Sequence, residues 1–342
     1  MNPRLLHSLL LVAMSALLVA ESQAPSLDSS SQTSVDSSRN QPSITKVPKE
    51  AILVKGAWSS ASDSVTPVPE AATVAEDVFS GPYFGMSYAL PQDWTQEYEG
   101  PPPSESGRYV LAQIGPPSTK EGPTSASMLI TAQDMFFTPL PAANAQELTE
   151  YIKNHLQADY KVEIAPTLAK VAGRSFSFFA YWSPVAELHW YFLATQIRCH
   201  AVEFVLTSRD TKLLDHLMLD LNKMKLPEDA SPTGGAGGGS VPVCIKDYAR
   251  EENVIARVDP VFTEHRFNPV PVRIIIDKQG KIKHIHLISA FPDQAKAITD
   301  ALGQWKFRPY AVDGKPAEVE TGIWFGRVPR PDAPRSAGSV VR

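Results

Sequence analysis

Ala301-Leu302-Gly303-Gln304-Trp305-Lys306-Phe307-Arg308-Pro309, with the turn Asp313-Gly314-Lys315-Pro316 close behind, decides how the C-terminal third of this chain folds. Upstream, Ala295, Ile298, Leu302 and Trp305 recur at helical spacing and form one apolar stripe. Pro292 and Asp293 suit the first turn of that helix. Further back, Val270-Pro271-Val272-Arg273-Ile274-Ile275-Ile276-Asp277 is β-branched, with Val270, Val272, Ile274 and Ile276 on one face. Asp277-Lys278-Gln279-Gly280 supplies a turn in which Gly280 tolerates positive φ, and Ile282 to Ser289 returns as a second strand. Downstream, Val319, Thr321, Ile323 and Phe325 alternate with Glu318, Glu320, Gly322 and Trp324 in a last strand. The order β-β-α-β predicts a small sheet with one helix packed across it.

This order, with Gly280 after the first strand, the Trp305-x-Phe307-x-Pro309 signature and the Gly314 turn, resembles the TonB C-terminal domain family over about residues 255–327. The resemblance implies a non-enzymatic adaptor of the bacterial envelope. It also implies a last strand whose exposed edge accepts an extended peptide from an outer-membrane transporter. The physics is strand addition: unpaired backbone N–H and C=O groups recruit another strand. Carried over here, the accepting edge is Val319, Thr321, Ile323, Trp324 and Phe325, with Trp324 facing outward. Trp305, Phe307 and Pro309 also read simply as core and turn residues. The sequence departs from energy transducers of that family, which keep a membrane helix and a long Pro-rich charged spacer. An anchored transducer is therefore the alternative to an exported binding protein.

Residues 80–227 read as a second folded unit. Tyr83 to Leu90 predicts an opening strand and Met128 to Ala132 a short one. Val171 to Trp182, Leu188 to Thr195 and Ile197 to Leu206 are aromatic-rich strands. Asn144 and Asp210 are placed to cap two helices, the second carrying Leu213, Leu214, Leu217, Met218, Leu221 and Met224 along one stripe. The expectation is an α+β sandwich: an antiparallel sheet with helices on one face. Phe84-Gly85-Met86-Ser87-Tyr88-Ala89-Leu90-Pro91-Gln92-Asp93-Trp94 resembles the first strand and turn of PsbP-like domains, which implies fold more than activity.

The remaining segments set compartment and linkage. Arg4, an uncharged run from Leu5 to Ala20 and the exit Ser22-Gln23-Ala24 predict a secretory signal peptide (1–24) cleaved after Ala24. That run is sixteen residues long, whereas a spanning helix needs about twenty, so membrane contact requires residues 5–20 to stay uncleaved. The expected location is periplasmic or secreted. A Ser/Pro-rich spacer (25–79), a Gly-rich linker (228–241) and a C-terminal tail (329–342) are too polar or too glycine-rich to bury a core. The C-terminal unit is bounded at 242–328.

Residues 25–240 carry 15 Lys/Arg against 24 Asp/Glu, and residues 241–342 carry 16 against 12. The two units thus differ in sign, and no basic run of the kind that tracks phosphates appears, so nucleic acid is not an expected partner. Cys199 and Cys244 could pair in an oxidising compartment or remain buried thiols.

The sequence carries little that points to catalysis. His284-x-His286 puts two imidazoles on one side of a strand, but no third ligand follows, and a solvated strand face is favoured over a metal site. Adjacent strand residues Cys199 and His200 point to opposite faces and cannot share a proton. Glu187 and Glu203 have no spacing that fixes a carboxylate pair, and no nucleophile elbow, phosphate loop or dinucleotide fingerprint occurs. No catalytic residue, metal or cofactor is expected. A small ligand or an enzymatic role in the 80–227 sandwich, in a pocket joining His189, Arg198 and His200, is the remaining alternative.

Overall fold

A computed structural model of the protein describes residues 52–53, 61–62, 68–98, 100, 103–117, 126–227, 242–264 and 268–326. The expected signal peptide (1–24), the Gly-rich linker (228–241) and the tail (329–342) lie outside the described residues.

In chain order, β1 (Ile52–Leu53) and β2 (Ala61–Ser62) come first. β3 (Thr73–Ala75), β4 (Val78–Gly81) and β5 (Met86–Ala89) then make a small antiparallel sheet. The large sheet draws on β6 (Thr95–Tyr98), β7 (Arg108–Gly115), β8 (Ser127–Asp134), β9 (Lys161–Val171), β10 (Arg174–Ser183), β11 (Leu188–Ile197) and β12 (His200–Ser208). Its order is β6-β7-β8-β12-β11-β10-β9, antiparallel throughout. Helix α1 (Ala145–Asn154) precedes β9, and α2 (Thr211–Leu221) follows β12. Asn144 and Asp210 cap them, each side chain accepting from a backbone N–H of the first turn.

The helices do not share a face. Leu214, Leu217 and Leu221 of α2 pack with Phe176, Phe178, Leu193, Val202, Phe204 and the residues of β4 and β5. Leu148 of α1 packs on the opposite face with Phe179, Tyr181, Trp190, Phe192 and Ala201. This corrects the one-faced sandwich. The cause lies in the strands: Phe176 to Tyr181 is buried without interruption, and a strand apolar on both sides needs cover on both. Burying each such Phe or Leu contributes about 1.5–3 kcal/mol.

The expected spacer is also too long. Val68 and Phe79 are core residues, and Pro82–Phe84 is a 3-10 turn rather than part of an opening strand. At the far side of the large sheet, β9 exposes Val162, Ile164 and Leu168 along an edge. Pro166 and two register shifts against β10 interrupt it, devices that discourage recruitment of another strand.

The C-terminal unit contains β13 (Val243–Cys244), β14 (Val254–Ala256), β15 (Val270–Ile276), β16 (Ile282–Leu287), α3 (Pro292–Leu302), β17 (Lys306–Phe307), β18 (Tyr310–Val312), β19 (Lys315–Ala317) and β20 (Val319–Phe325). Its main sheet runs β1-β2-β16-β15-β20-β13, so residues from before the first unit complete one edge. One face carries Val270, Val272, Ile274, Ile276, Ile285 and Phe325 against Ile298 and Leu302 of α3 and Trp305. Gly280 has φ +79°, and a Cβ there would meet the Phe307 carbonyl oxygen at 2.0 Å. The Phe307 N–H donates to the Gly280 carbonyl at 2.8 Å, which ties the first turn to the end of the helix. Trp305 donates its indole N–H to Val258 O at 2.7 Å. Pro309 is exposed just beyond, and Gly314 (φ +76°) turns β18 into β19.

The protein is sheet-rich α+β, with three α-helices among the described residues.

Candidate functional site

The second face of the C-terminal sheet is polar, and it is buried. Arg273 stands on β15 opposite His286 of β16 and Gly322 of β20; one rank along, Ile275 faces His284 and Glu320. Strand periodicity puts these side chains on the side away from α3. The first unit covers them with the end of β8, the turn after it, the β11–β12 hairpin and the Pro82–Phe84 turn.

Arg273 is the centre of this seam and is 1% exposed. Its Nε donates to Asp134 Oδ2 at 3.0 Å, and its Nη1 to Glu320 Oε1 at 2.7 Å. Nη2 lies 3.2 Å from His200 Nε2. The guanidinium also sits over the Phe136 ring, 4.7 Å from its centroid. Tyr83 donates its hydroxyl to Glu320 at 3.0 Å, while Arg198 donates to the Tyr83 carbonyl at 2.6 Å and stacks on its ring.

Local structure fixes each member. Asp134 ends β8, and its Oδ1 accepts from Phe136 N–H at 2.8 Å, leaving Oδ2 for Arg273. Arg198 and Cys199 form the two-residue turn of the β11–β12 hairpin, both at positive φ, as a primed turn requires. His200 Nδ1 lies 2.7 Å from the Arg198 carbonyl; with that nitrogen donating, Nε2 accepts from Arg273 and the ring is neutral.

The electrostatics agree with this geometry. Burial, and then the Arg273 charge, hold the His200 imidazole well below its ordinary range. Burial raises the Asp134 carboxyl, and Arg273 pulls it part of the way back. Desolvation works against the Arg273 charge, but Asp134, Tyr83 and Glu320 outweigh it and keep the proton bound. A charge taken this far from water is tolerable only when paired and hydrogen-bonded.

A disulfide closes the seam at one end. Cys199, at the hairpin tip, is bonded to Cys244 on β13. Cys199 Sγ lies 3.6 Å from Glu320 Oε2. At the other end, His286 Nε2 lies 2.9 Å from Glu70 Oε1, both side chains buried. His284 and His286 are therefore not on a solvated strand face; residues before the first unit and the first unit itself cover them.

The expected docking strand is placed differently as well. β20 is not the sheet edge: β15 pairs along its whole length, and β13 lies parallel to Val319 and Glu320 on its other side. Trp324 does not point into solvent but meets the Phe137 ring edge-on at 5.1 Å. Gly322 admits this contact, since a Cβ would come within 2.8 Å of Phe136 Cβ and the Phe137 ring. Val319, Thr321 and Phe325 are buried, and Ile323 is half-buried. β13 stops short of the end of β20. Glu318 and Glu320 turn their carbonyls outward to Val243 and Ile245 N–H groups. By the same alternation Gly322 and Trp324 turn theirs outward, where no described strand reaches them.

The residues weighed for chemistry are dispersed. His189 of β11 is paired with Glu163 of the edge strand β9 at 2.8 Å. Glu203 is held by Arg108 and Thr131, and Glu187 sits in the β10–β11 turn. Among the described residues, an open groove of about 460 Å³ lies beside α1 and one of about 410 Å³ beside the disulfide. Neither is lined by His189, Arg198 or His200. Among the described residues no group of three or more His, Cys, Asp or Glu converges as a metal set.

Asp134, Arg273, Glu320 and Tyr83 were missed as a group. Arg273 inside a β-branched run was the one available signal, because a charge flanked by apolar strand residues needs either solvent or a partner.

No family model matches the chain, and no curated protein matches it. Among solved structures, the solution structure of cyanobacterial PsbP (CyanoP) from Synechocystis sp. PCC 6803 is similar at 11% identity. The match covers 48% of this chain and 99% of that chain, with a TM-score of 0.30.

Proposed function

We propose that this protein is an exported, non-enzymatic adaptor that docks an extended segment of an envelope protein by strand addition at the open end of β20. The observation that carries this reading is the pair Gly322 and Trp324, whose outward backbone groups continue the line that β13 leaves off. The TonB-like order of β15, β16, α3 and β20, with Gly280 and the Trp305-x-Phe307-x-Pro309 signature, favours an outer-membrane transporter as the class of partner. The docking edge is shorter than the one first expected and is walled on one side by Trp324 and Phe137. A guest strand gains backbone hydrogen bonds there and an aromatic wall for one side chain.

The test separates the backbone from the side chain. Trp324→Pro removes an outward N–H without touching the β15 ladder, whereas Trp324→Ala removes only the ring. Capture of an envelope partner is expected to persist in Trp324→Ala and to vanish in Trp324→Pro. Equal capture by both would remove strand addition from consideration. Mature protein starting at Pro25 is the matching expectation for export; an intact Met1 in the membrane fraction would favour the anchored transducer.

A further inference from the structure

β13 is two residues long, and it is the strand that covers the N-terminal half of the outer side of β20. Its donated backbone bonds are Val243 N–H to Glu318 O at 2.8 Å and, just past it, Ile245 N–H to Glu320 O at 3.0 Å. A bond of this kind contributes about 1 kcal/mol net, and parallel pairing is the weaker form of ladder. On the C-terminal side Ile245 packs half-buried against the core, Lys246 O accepts from the Thr321 hydroxyl at 3.3 Å, and Tyr248 is fully anchored, buried with its hydroxyl donating to Arg308 O at 2.6 Å. On the N-terminal side the sequence is the run Gly234-Gly235-Ala236-Gly237-Gly238-Gly239, which carries a single methyl group as side chain. Among the described residues, what fixes β13 from that side is the bond from Cys244 to Cys199 on the other unit.

We propose that the Cys199–Cys244 disulfide is a redox latch on the docking edge: its reduction lets β13 peel away as far as Tyr248 and extends the open edge from Gly322 back to Val319. This rests on the strand-addition reading of the same edge. The disulfide is accessible from one side only. Cys199 is buried and Cys244 exposed, and the groove of about 410 Å³ opens onto the bond between them.

The chemistry is exchange with a dithiol. A thiolate of the dithiol attacks Cys244 Sγ, the S–S bond breaks, and Cys199 leaves. The departing sulfur, 3.6 Å from Glu320 Oε2 in the oxidised form, takes up a proton. The second thiol of the reductant displaces Cys244 from the mixed disulfide. Two electrons and two protons pass to the protein, and the dithiol departs as its own disulfide.

The experiment is backbone hydrogen exchange on the full chain, oxidised and after dithiothreitol, with thiol alkylation confirming reduction. The outward Glu320 amide lies beneath β13; reduction is expected to speed its exchange about fivefold, the worth of one hydrogen bond. Amides that face β15, such as that of Ile323, are expected to keep their rates. Cys244→Ser should reproduce the change without reductant. Val243→Pro, with the disulfide intact, should loosen Glu320 less. A Glu320 amide still protected in alkylated protein overturns the latch, as does loss of protection across the whole of β15. A synthetic peptide of residues 242–249 with Ser at position 244 then probes the docking reading separately. It should restore protection in reduced protein only; an opened edge that ignores it keeps the latch and removes the docking site.

Discussion

The two faces of the C-terminal sheet are both buried, yet they are built from opposite chemistry. The face toward α3 is Val270, Val272, Ile274, Ile276 and Phe325, and it gains stability from each methyl removed from water. The face toward the first unit holds Arg273, Glu320, His284 and His286, and there every charge must find its counter-charge or cost several kcal/mol. An apolar face tolerates approximate partners, because Leu for Ile loses little. A charged seam does not. The first face makes the sheet stable, while the second dictates which surface can lie on it.

The sharpest way to break this contrast is Arg273→Met, which strands Asp134 and Glu320 without their cation. We expect a loss of about 3–5 kcal/mol, read as a fall in Tm. Replacing Asp134 and Glu320 with Leu in the same chain should recover most of it, since an apolar seam can match a buried ion cluster. A single variant as stable as the parent would show the cluster to be energetically idle. Next in size is Cys199→Ser with Cys244→Ser. A covalent link spanning a sequence separation of 45 residues contributes about 2–4 kcal/mol, measurable by urea titration of both forms. Gly322→Ala should cost about 1–3 kcal/mol, because the new Cβ meets Phe136 and Phe137 at 2.8 Å. The same exchange at Gly314, where a Cβ meets nothing within 4 Å, tests only its positive φ.

The smallest effect is a dependence on pH. His200 is neutral in the folded seam, among Arg273, Asp134, Tyr83 and Tyr109 with His286 nearby, and its proton affinity is depressed. Its stabilising share is therefore present above the unfolded value near 6.5 and lost as pH falls below it, when the unfolded chain binds a proton that the folded chain refuses. The slope is at most about 1.4 kcal/mol per pH unit. Asp134 acts in the other direction: its raised carboxyl favours the folded state at acid pH and gives that share up as pH rises through its folded value. Tm measured from pH 7 to 5 should decline, and His200→Gln should flatten the decline.

Much of the fold was legible because periodicity reports one buried face well. The alternation over Val270–Ile276, the stripe in α3 and both helix caps are local signals, and the structure has those elements at those places. What escaped were second faces. A polar face such as Arg273, His284, His286 and Glu320 looks the same in sequence whether it meets water or another domain. The apolar doubling of Phe176 to Tyr181 is the local sign of two covered faces. β7 and β9 escaped because their side chains are mixed and show their place only through the strands they pair with. The displacement of the docking edge has the same origin: nothing local in Val243-Cys244 announces that it will lie beside Val319.

The pairing of β2 with β16 sets a schedule for folding. Ser62 meets His286, and Ala61 meets Leu287, so a segment made early by the ribosome pairs only within itself, β1 with β2, until most of the chain has followed. Closing so long a loop carries an entropic cost and slows the step that depends on it. These first strands should be the last to acquire protection during refolding, completing the sheet only after β15, β16 and β20 have found one another.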